Sequence, residues 1–206
     1  MANRSYLFST NFDKSSYAGK ENREIRGISE FDYDIPLAYK ILVSQDAKIV
    51  NSIIWEYSHP IAIQGDFSKG KRKFFDFLDA LVTENILDGS IWEEKMNEAR
   101  GFLNSAKCKN DFFLLENGEI YEMTGEALEA QNLFLFENEI LKIDDTISRH
   151  LLRIKELKQG RQNKHGLFSG FGKSKKANNE SDKELIILHD LLGIDYWSDV
   201  LYYNFS

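Results

Sequence analysis

Acidic and aromatic residues interleave in two short segments of this chain, and their types suit the binding of another macromolecule. The first segment holds Glu30, Asp32, Tyr33 and Asp34 around Phe31, and the second holds Trp55, Glu56 and Tyr57. Aromatic rings supply contact area at low entropic cost, and carboxylates steer and pair with basic groups. We therefore predict a partner-binding site of Glu30, Asp32, Tyr33, Asp34, Trp55 and Glu56. The alternative is that Phe31 and Tyr33 are core residues and that the acids between them face solvent.

The residues that could catalyse a reaction or bind a metal are dispersed. The four histidines do not cluster at the spacing of metal ligands, so we predict neither a metal site nor a cofactor; they are His59, His150, His165 and His189. His150 is expected on a helix surface and Cys108 at the exposed end of a helix. Ser169 lacks the Gly-x-Ser-x-Gly setting of a nucleophile elbow. An enzyme is therefore not expected, and the alternative is a small enzyme or ligand-binding protein whose site assembles from distant residues, with His59, His189 or Cys108 involved.

One glycine-rich stretch approaches a phosphate-binding loop without matching it. Five residues separate Gly166 from Gly172-Lys173-Ser174, where such a loop has four, and no strand pattern precedes it. Residues 160–179 contain four glycines, five Lys or Arg and no acid, so a basic flexible loop is predicted. Without these five cations the chain, whose total formal charge is -7, carries a charge of -12. Such an acidic body binds phosphate backbones poorly, so neither nucleic acid nor a membrane is an expected partner.

The composition indicates a globular protein. The 206 residues are 42% hydrophobic and 29% charged, which is enough for a buried core and too apolar for a disordered chain. No run approaches the roughly 18 apolar residues of a membrane-spanning helix, and the first residues do not resemble a signal peptide. A single cysteine rules out an internal disulfide. We therefore expect a cytoplasmic protein.

Hydrophobic periodicity predicts the elements that position the acidic and aromatic segments. Polar and apolar residues alternate over residues 3–9, which predicts a strand, and residues 11–26 are expected to form an exposed loop. Pro36 fits the first turn of a helix that should run to about residue 43. Residues 53–63 are rich in β-branched and aromatic types, but Pro60 cannot donate to a sheet ladder. We predict a bent or edge strand there, or two short pieces.

Helical patterns dominate the second half of the chain. Residues 74–89 and 90–106 carry apolar side chains at helical spacing and should form an α-hairpin with a very short turn, in which Ser90 and Glu93 make a capping box. A long pattern follows Thr124, with acids early and bases late, as the helix dipole favours. A second capping box, at Ser181, opens a helix that should end at Gly193. The aromatic tail after it is expected to pack on the core.

Asn117-Gly118 is the strongest turn signal in the chain. Both residue types tolerate the positive φ angles of a type I′ turn, and strand-like residues flank them. We therefore predict a two-residue β-hairpin. Together these elements predict an α+β fold in which a small antiparallel sheet with this hairpin is covered by five or six helices. The predicted organisation is a core domain at residues 1–159, a basic flexible loop at 160–180, and a helix with the packed tail at 181–206.

Three blocks in the first third of the chain resemble a known group of proteins. They are Met1-Ala2-Asn3-Arg4-Ser5-Tyr6-Leu7, Gly27-Ile28-Ser29-Glu30 and Tyr33-Asp34-Ile35-Pro36. They are similar to an uncharacterised family of bacterial cytoplasmic proteins that open with nearly this heptapeptide. Members lack enzyme motifs, and some are candidate immunity proteins of contact-dependent or secreted toxin systems. The resemblance implies a binding protein and transfers no catalytic residue to this chain.

The acidic body and the resemblance together predict what kind of binding protein this is. A surface of negative charge attracts a basic partner, and the attraction weakens as salt screens it. We expect a cytosolic immunity protein that binds and occludes a cognate, basic toxin, for which a nuclease is one candidate. The oligomeric state and the role of the basic loop stay open.

Overall fold

Five strands and six α-helices make up the part of the chain that the computed structural model describes. That part comprises residues 3–13, 23–83, 90–165 and 191–205, with the backbone alone for residues 90–91 and 157–165. The strands are β1 Arg4–Thr10, β2 Ile25–Asp32, β3 Lys48–Val50, β4 Ala62–Asp66 and β5 Phe112–Glu116. The α-helices are α1 Leu37–Leu42, α2 Phe67–Thr83, α3 Ser90–Asn104, α4 Gly118–Glu122, α5 Leu128–Leu135 and α6 Ile143–His165, and a π-helix at Phe136–Ile140 joins the last two.

The strands form one open antiparallel sheet in the order β2-β1-β5-β4-β3. Every neighbouring pair is antiparallel, so the predicted α+β class with a small antiparallel sheet is confirmed. The strand predicted at residues 3–9 is β1. The expected loop at residues 11–26 was wrong at its end, because β2 already begins at Ile25. A bulge in the pairing of β1 with β2 interrupts the alternation of side chains in β2, and strict alternation is the pattern that reveals a strand in a sequence.

The predicted Asn-Gly hairpin was wrong. β5 ends at Glu116 and helix α4 begins at Gly118, so no strand returns beside it. The reason lies in the sheet, where β5 pairs with β1 on one side and β4 on the other and has no free edge for a hairpin partner. Asn117 has a φ of -126°, outside the left-handed region that a type I′ turn requires.

The strand predicted at residues 53–63 was wrong except at its last two residues, which begin β4. Residues 51–61 contain no strand, and β4 begins only at Ala62, two residues after Pro60. β4 is not an edge strand, since it pairs with both β5 and β3. Pro60, which has no N–H to donate, therefore lies in the irregular segment before β4 and interrupts no ladder hydrogen bond.

The two faces of the sheet are covered differently. The helices pack on one face, where Leu7, Ile63, Phe113 and Leu115 are fully buried. On the other face, Tyr6, Phe8, Ala62 and Leu114 form a smaller core with Ile53, Ile54, Trp55, Leu201 and Tyr203. Two segments without regular structure, residues 51–61 and 201–205, therefore cover the second face.

The helices predicted at residues 74–106 are confirmed as α2 and α3. Their apolar stripes are buried, with Phe74, Phe77, Leu78 and Leu81 on α2 and Trp92, Met96, Ala99 and Leu103 on α3. Val82, which belongs to the α2 stripe by spacing, is 49% exposed because it lies at the helix end. The predicted short turn and the Ser90 side chain of the capping box lie outside the described residues.

The long helical pattern after Thr124 is broken into three helices. The π-helix and the two residues after it separate α5 from α6. Side chains of α6 bond the carbonyl groups at this break, where the Thr146 hydroxyl donates to the Glu139 carbonyl at 3.1 Å. The Arg149 guanidinium donates to the Thr146 hydroxyl at 2.9 Å. The apolar spacing does not reveal the break, because all three helices contribute buried residues to the same core: Leu135, Ile140, Ile143 and Ile154.

The end of the chain lies along the outer edge of β2. Ile194 and Leu201 are buried, the Ser198 amide donates to the Ile28 carbonyl at 2.9 Å, and Trp197 forms a β-bridge with Ser29. This contact covers part of an edge strand that would otherwise expose unpaired backbone groups. The predicted basic loop begins within α6, which continues to His165, and its remainder and the Ser181 capping box lie outside the described residues. The division into domains stays a prediction, and no described helix is long and apolar enough to cross a membrane.

Candidate partner-binding surface

The sheet register brings the two predicted segments to the same end of the sheet. β1 begins opposite the last residue of β2, and the last residue of β5 pairs with both β1 and the first residue of β4. Residues 30–34 span the end of β2 at Asp32, while residues 55–57 precede the start of β4 at Ala62. Because antiparallel neighbours reverse direction, the end of one strand lies beside the start of the next. Both segments therefore lie at the same end of the sheet.

Arg4 joins the two carboxylates near the end of β2. Its Nε atom lies 2.9 Å from Asp32 Oδ1 and 3.6 Å from Glu30 Oε1. Glu30 and Asp32 are two residues apart in a strand, so their side chains share one face of the sheet. Burial disfavours the charged guanidinium, but these carboxylates outweigh it and raise the pKa of Arg4. The ion pairs hold β1 to β2 and leave Asp32 half exposed.

Tyr33 projects into solvent from a strained backbone. Its φ is 62°, its side chain is 61% exposed, and its amide donates to the Asn3 carbonyl at 2.7 Å. The left-handed region is costly for a bulky residue, by about 1 kcal/mol or more. The alternative that Phe31 and Tyr33 are both core residues holds for Phe31, which is 6% exposed, and fails for Tyr33. Asp34 stabilises the turn, since its Oδ1 accepts the Ile35 amide at 2.7 Å.

Trp55 and Glu56 lie at the same end of the sheet as residues 30–34 but apart from them. The Trp55 ring is partly buried against Tyr6 and Tyr203, with centroid distances of 6.4 and 5.8 Å. Glu56 is exposed. The two predicted segments do not touch each other in any described contact, so another part of the chain must connect them.

The end of the chain connects the two segments. The Tyr202 amide donates to Glu30 Oε2 at 2.8 Å, and the Arg4 guanidinium lies 5.5 Å from the centre of the Tyr202 ring. Tyr203 packs against Tyr202 on one side and against Trp55 on the other. Sequence reasoning expected the tail to pack on the core but assigned it no part in the site. Tyr202 and Glu30 are far apart along the chain, so no local sequence pattern could predict their contact.

Helix α4 adds two carboxylates to this end of the sheet. They were not predicted as part of the site, because the sequence pattern assigned them to a hairpin strand. Glu119 accepts the Tyr6 hydroxyl at 3.0 Å and the Arg4 amide at 2.8 Å, and Glu122 is exposed nearby. Burial raises the pKa of Tyr6, and the bond to Glu119 raises it further, so the hydroxyl keeps its proton. We call residues 3–6, 30–34, 55–57, 118–123 and 201–205 together the acidic–aromatic end. Its segments carry six carboxylates and one cationic side chain, Arg4.

Cys108 is buried, and the expectation of an exposed thiol was wrong. The residue has no exposed surface, and its thiol donates to the Phe102 carbonyl at 3.1 Å. The chain after α3 folds back against β1, where the Ser9 hydroxyl donates to the Cys108 carbonyl at 2.6 Å. Burial raises the pKa of the thiol, which disfavours the nucleophilic thiolate.

His150 is partly buried beside an ion pair, so the expectation of a surface histidine was only partly right. Its Nδ1 lies 2.9 Å from the Thr146 carbonyl, which can only accept, so Nδ1 carries a proton. Burial lowers the pKa of His150, and the cations of Lys40 and Arg149 act in the same direction. Lys40, only 8% exposed, bonds Glu139 at 2.7 Å. No local sequence pattern reveals this cluster, because its members come from α1, the π-helix and α6.

The other candidate residues do not form a catalytic or metal-binding group in the described ranges. His59 is exposed, and its ring lies 6.2 Å from the Tyr57 ring, whereas Cys108 lies against α3. Ser169 and His189 fall outside the described residues. No group of three or more His, Cys, Asp or Glu among the residues that are described could hold a metal ion.

A family model for a domain of unknown function (DUF7822) matches residues 14–159, which is more than half of the chain. The chain belongs to the DUF7822 family. The DUF7822 match includes β2, β5 and α4 but excludes β1 and the end of the chain. Arg4, Tyr202 and Tyr203 of the acidic–aromatic end therefore lie outside it. No curated protein and no solved structure matches the sequence.

Proposed function

We propose that this DUF7822 protein is a cytosolic immunity protein, which binds a basic protein toxin through the acidic–aromatic end and occludes the toxin's own site. The observation that carries the proposal is Tyr33, a bulky ring held in solvent at a backbone cost and flanked by carboxylates. Strained residues are retained where function requires them, and exposed tyrosines are preferred anchors of protein interfaces. The resemblance of the first blocks of the chain to candidate immunity proteins also supports it.

Charge and aromatic area have separate tasks in this mechanism. The six carboxylates attract a cationic surface over a distance and raise the association rate at low salt. Tyr33, Tyr57 and Tyr202, which are 61%, 40% and 55% exposed, then supply contact area that slows dissociation. A toxin that must bind phosphate, such as a nuclease, carries the cationic surface that this mechanism needs.

The partner is identified by capture from an extract of the protein's own cells, at about 50 mM and about 300 mM salt, between which the screening length shrinks. The tagged full chain should retain one stoichiometric, basic protein. That protein should arrest growth when expressed alone, and co-expression of this chain should relieve the arrest. A captured protein that is harmless on its own contradicts the proposal.

A matched pair of charge reversals tests the surface. Glu56→Lys with Glu122→Lys changes two exposed carboxylates of the acidic–aromatic end, and Glu93→Lys with Glu94→Lys makes the same charge change at two exposed carboxylates of α3. At low salt the first variant should associate on the order of tenfold more slowly than the second, since only its carboxylates steer the encounter. Equal rates for the two variants would remove this surface from the proposal.

A further inference from the structure

A buried polar cluster lies at the junction of β5, α4 and α5, behind the acidic–aromatic end. Asn117, Tyr121 and Asn132 have exposed fractions of 0%, 3% and 0%. Asn117 Nδ2 donates to the Tyr121 hydroxyl at 3.1 Å, and this hydroxyl donates to Asn132 Oδ1 at 2.9 Å. The two amides are thus joined through one shared hydroxyl.

The two hydrogen bonds to the Tyr121 hydroxyl use one polar atom of each asparagine amide and leave the other polar atom of each unused. Asn117 Oδ1 and Asn132 Nδ2 have no hydrogen-bond partner among the residues that the structure describes. Buried polar atoms in native proteins are nearly always bonded to protein or to ordered water. One of these atoms is an acceptor and the other is a donor, so a molecule that both donates and accepts would satisfy them together.

This complementary pairing distinguishes the cluster from other buried atoms without a partner in the described ranges. The Nε1 atoms of Trp92 and Trp197 belong to single residues. In the described contacts, neither of them shares a bonded group with a second such atom. Among the residues that the structure describes, the two asparagine atoms are the pair that presents a donor and an acceptor around the same hydroxyl.

We propose that one buried water molecule binds between Asn117 and Asn132, donating to Asn117 Oδ1 and accepting from Asn132 Nδ2. Globular proteins hold on the order of one buried water per 27 residues, and such waters bond polar groups that the protein leaves unsatisfied. The water ties the end of β5 to α5, on either side of α4. It thereby fixes the helix that presents Glu119 and Glu122. The site depends only on these three side chains and is independent of the proposed toxin binding.

A crystal structure of the full chain, at a resolution that shows ordered water, tests the site directly. We expect a solvent peak within about 3 Å of both Asn117 Oδ1 and Asn132 Nδ2. A structure in which no peak lies within hydrogen-bond distance of both atoms overturns the proposal. This includes a structure in which either amide bonds another protein group instead.

A double-mutant cycle provides the second measurement. Tyr121→Phe removes the shared hydroxyl, which is the link between the two asparagines in the described contacts. The proposed water is then the link expected to couple them. In this background the melting temperature of Asn117→Leu with Asn132→Leu should fall by about 2–4 °C less than the sum of the single changes. Additive changes overturn the proposal. Asn117→Leu with Asn138→Leu, in which Asn138 lies on the π-helix, is the additive control, and the crystal structure decides alone if the Phe background does not fold.

Discussion

Gly118 lies against the indole ring of Trp55. A Cβ atom at Gly118 would lie 2.9 Å from Trp55 Cε3 and 3.0 Å from Cδ2, well inside the 3.5–4.0 Å or so of an ordinary carbon contact. The glycine therefore serves the close approach of a ring and not the tight turn that its sequence suggests. Trp55 in turn packs against Tyr6 and Tyr203, so one missing side chain sets the packing of the second face of the sheet.

Gly118→Ala should displace Trp55 and lower the free energy of unfolding by roughly 1–3 kcal/mol. Urea unfolding measures the loss, and a red shift of tryptophan emission reports the displaced ring. Gly101→Ala is the matched control, because Gly101 is exposed on α3 and nothing lies within 4 Å of its added Cβ. That change should raise stability by up to about 1 kcal/mol. Similar destabilisation by both substitutions would show that the contact with Trp55 is not the cause.

Tyr33→Gly should separate stability from partner binding. Glycine adopts the positive φ of this position without strain, so Tyr33→Gly should be more stable than Tyr33→Ala by roughly 1 kcal/mol in urea unfolding. Both variants lack the ring, so both should dissociate faster from the captured toxin. If the two variants unfold at the same urea concentration, the backbone of this turn is not strained. If both bind as tightly as the unaltered protein, Tyr33 is not an anchor.

Two buried tyrosines should respond to different extents to the loss of their hydroxyl groups. The Tyr39 hydroxyl has Ser29 as its polar neighbour but makes no well-formed hydrogen bond among the described residues, so Tyr39→Phe should change stability by less than about 1 kcal/mol. The Tyr121 hydroxyl bonds both Asn117 and Asn132, so Tyr121→Phe should cost about 1–3 kcal/mol. Chemical denaturation of both variants measures the difference. A larger loss for Tyr39→Phe would contradict the hydrogen bonding described here.

His150 should make stability depend on pH in the mildly acidic range. Burial lowers its pKa in the folded protein, so the unfolded chain, with a pKa of about 6.5, takes up a proton more readily. The stabilising contribution of neutral His150 is present above about pH 6.5 and is lost as the pH falls towards the lowered pKa. Lys40, Glu139 and Arg149 are the charged groups that act on the ring.

His150→Gln isolates this effect, because the other titrating groups are common to both proteins. The urea midpoint of the unaltered protein should fall more than that of the variant between about pH 7 and pH 5. Parallel pH dependences would show that His150 titrates alike in the folded and unfolded chains.

Cys108 should resist thiol reagents in the folded protein. The residue has no exposed surface, and burial raises the pKa of its thiol. Alkylation at neutral pH should therefore be slower than for a free cysteine, and denaturant should remove the difference. Mass spectrometry of timed samples gives both rates. Rapid labelling without denaturant would mean that the turn after α3 opens readily.

Local patterns in the sequence determined several elements of this fold correctly. β1, α1, α2 and α3 were predicted because each carries its own apolar periodicity or start signal, which does not depend on distant residues. The segments around Tyr33 and Trp55 were identified as binding candidates by residue type alone. The hairpin prediction at Asn117-Gly118 was wrong because β1 and β4 pair with both edges of β5, and this pairing overrides the preference of the dipeptide for a turn.

Only the tertiary structure decided how the candidate surface is assembled. The sequence contained Glu30 and Trp55 but not the chain of contacts through Tyr202 and Tyr203 that joins them. Arg4 pairs with Glu30 and Asp32 because antiparallel register places the start of β1 beside the end of β2. Side-chain periodicity extends only over neighbouring residues, whereas strand register and burial depend on residues far apart in the chain. The residue types of the surface could therefore be predicted from the sequence, whereas their arrangement depends on the strand register of the sheet.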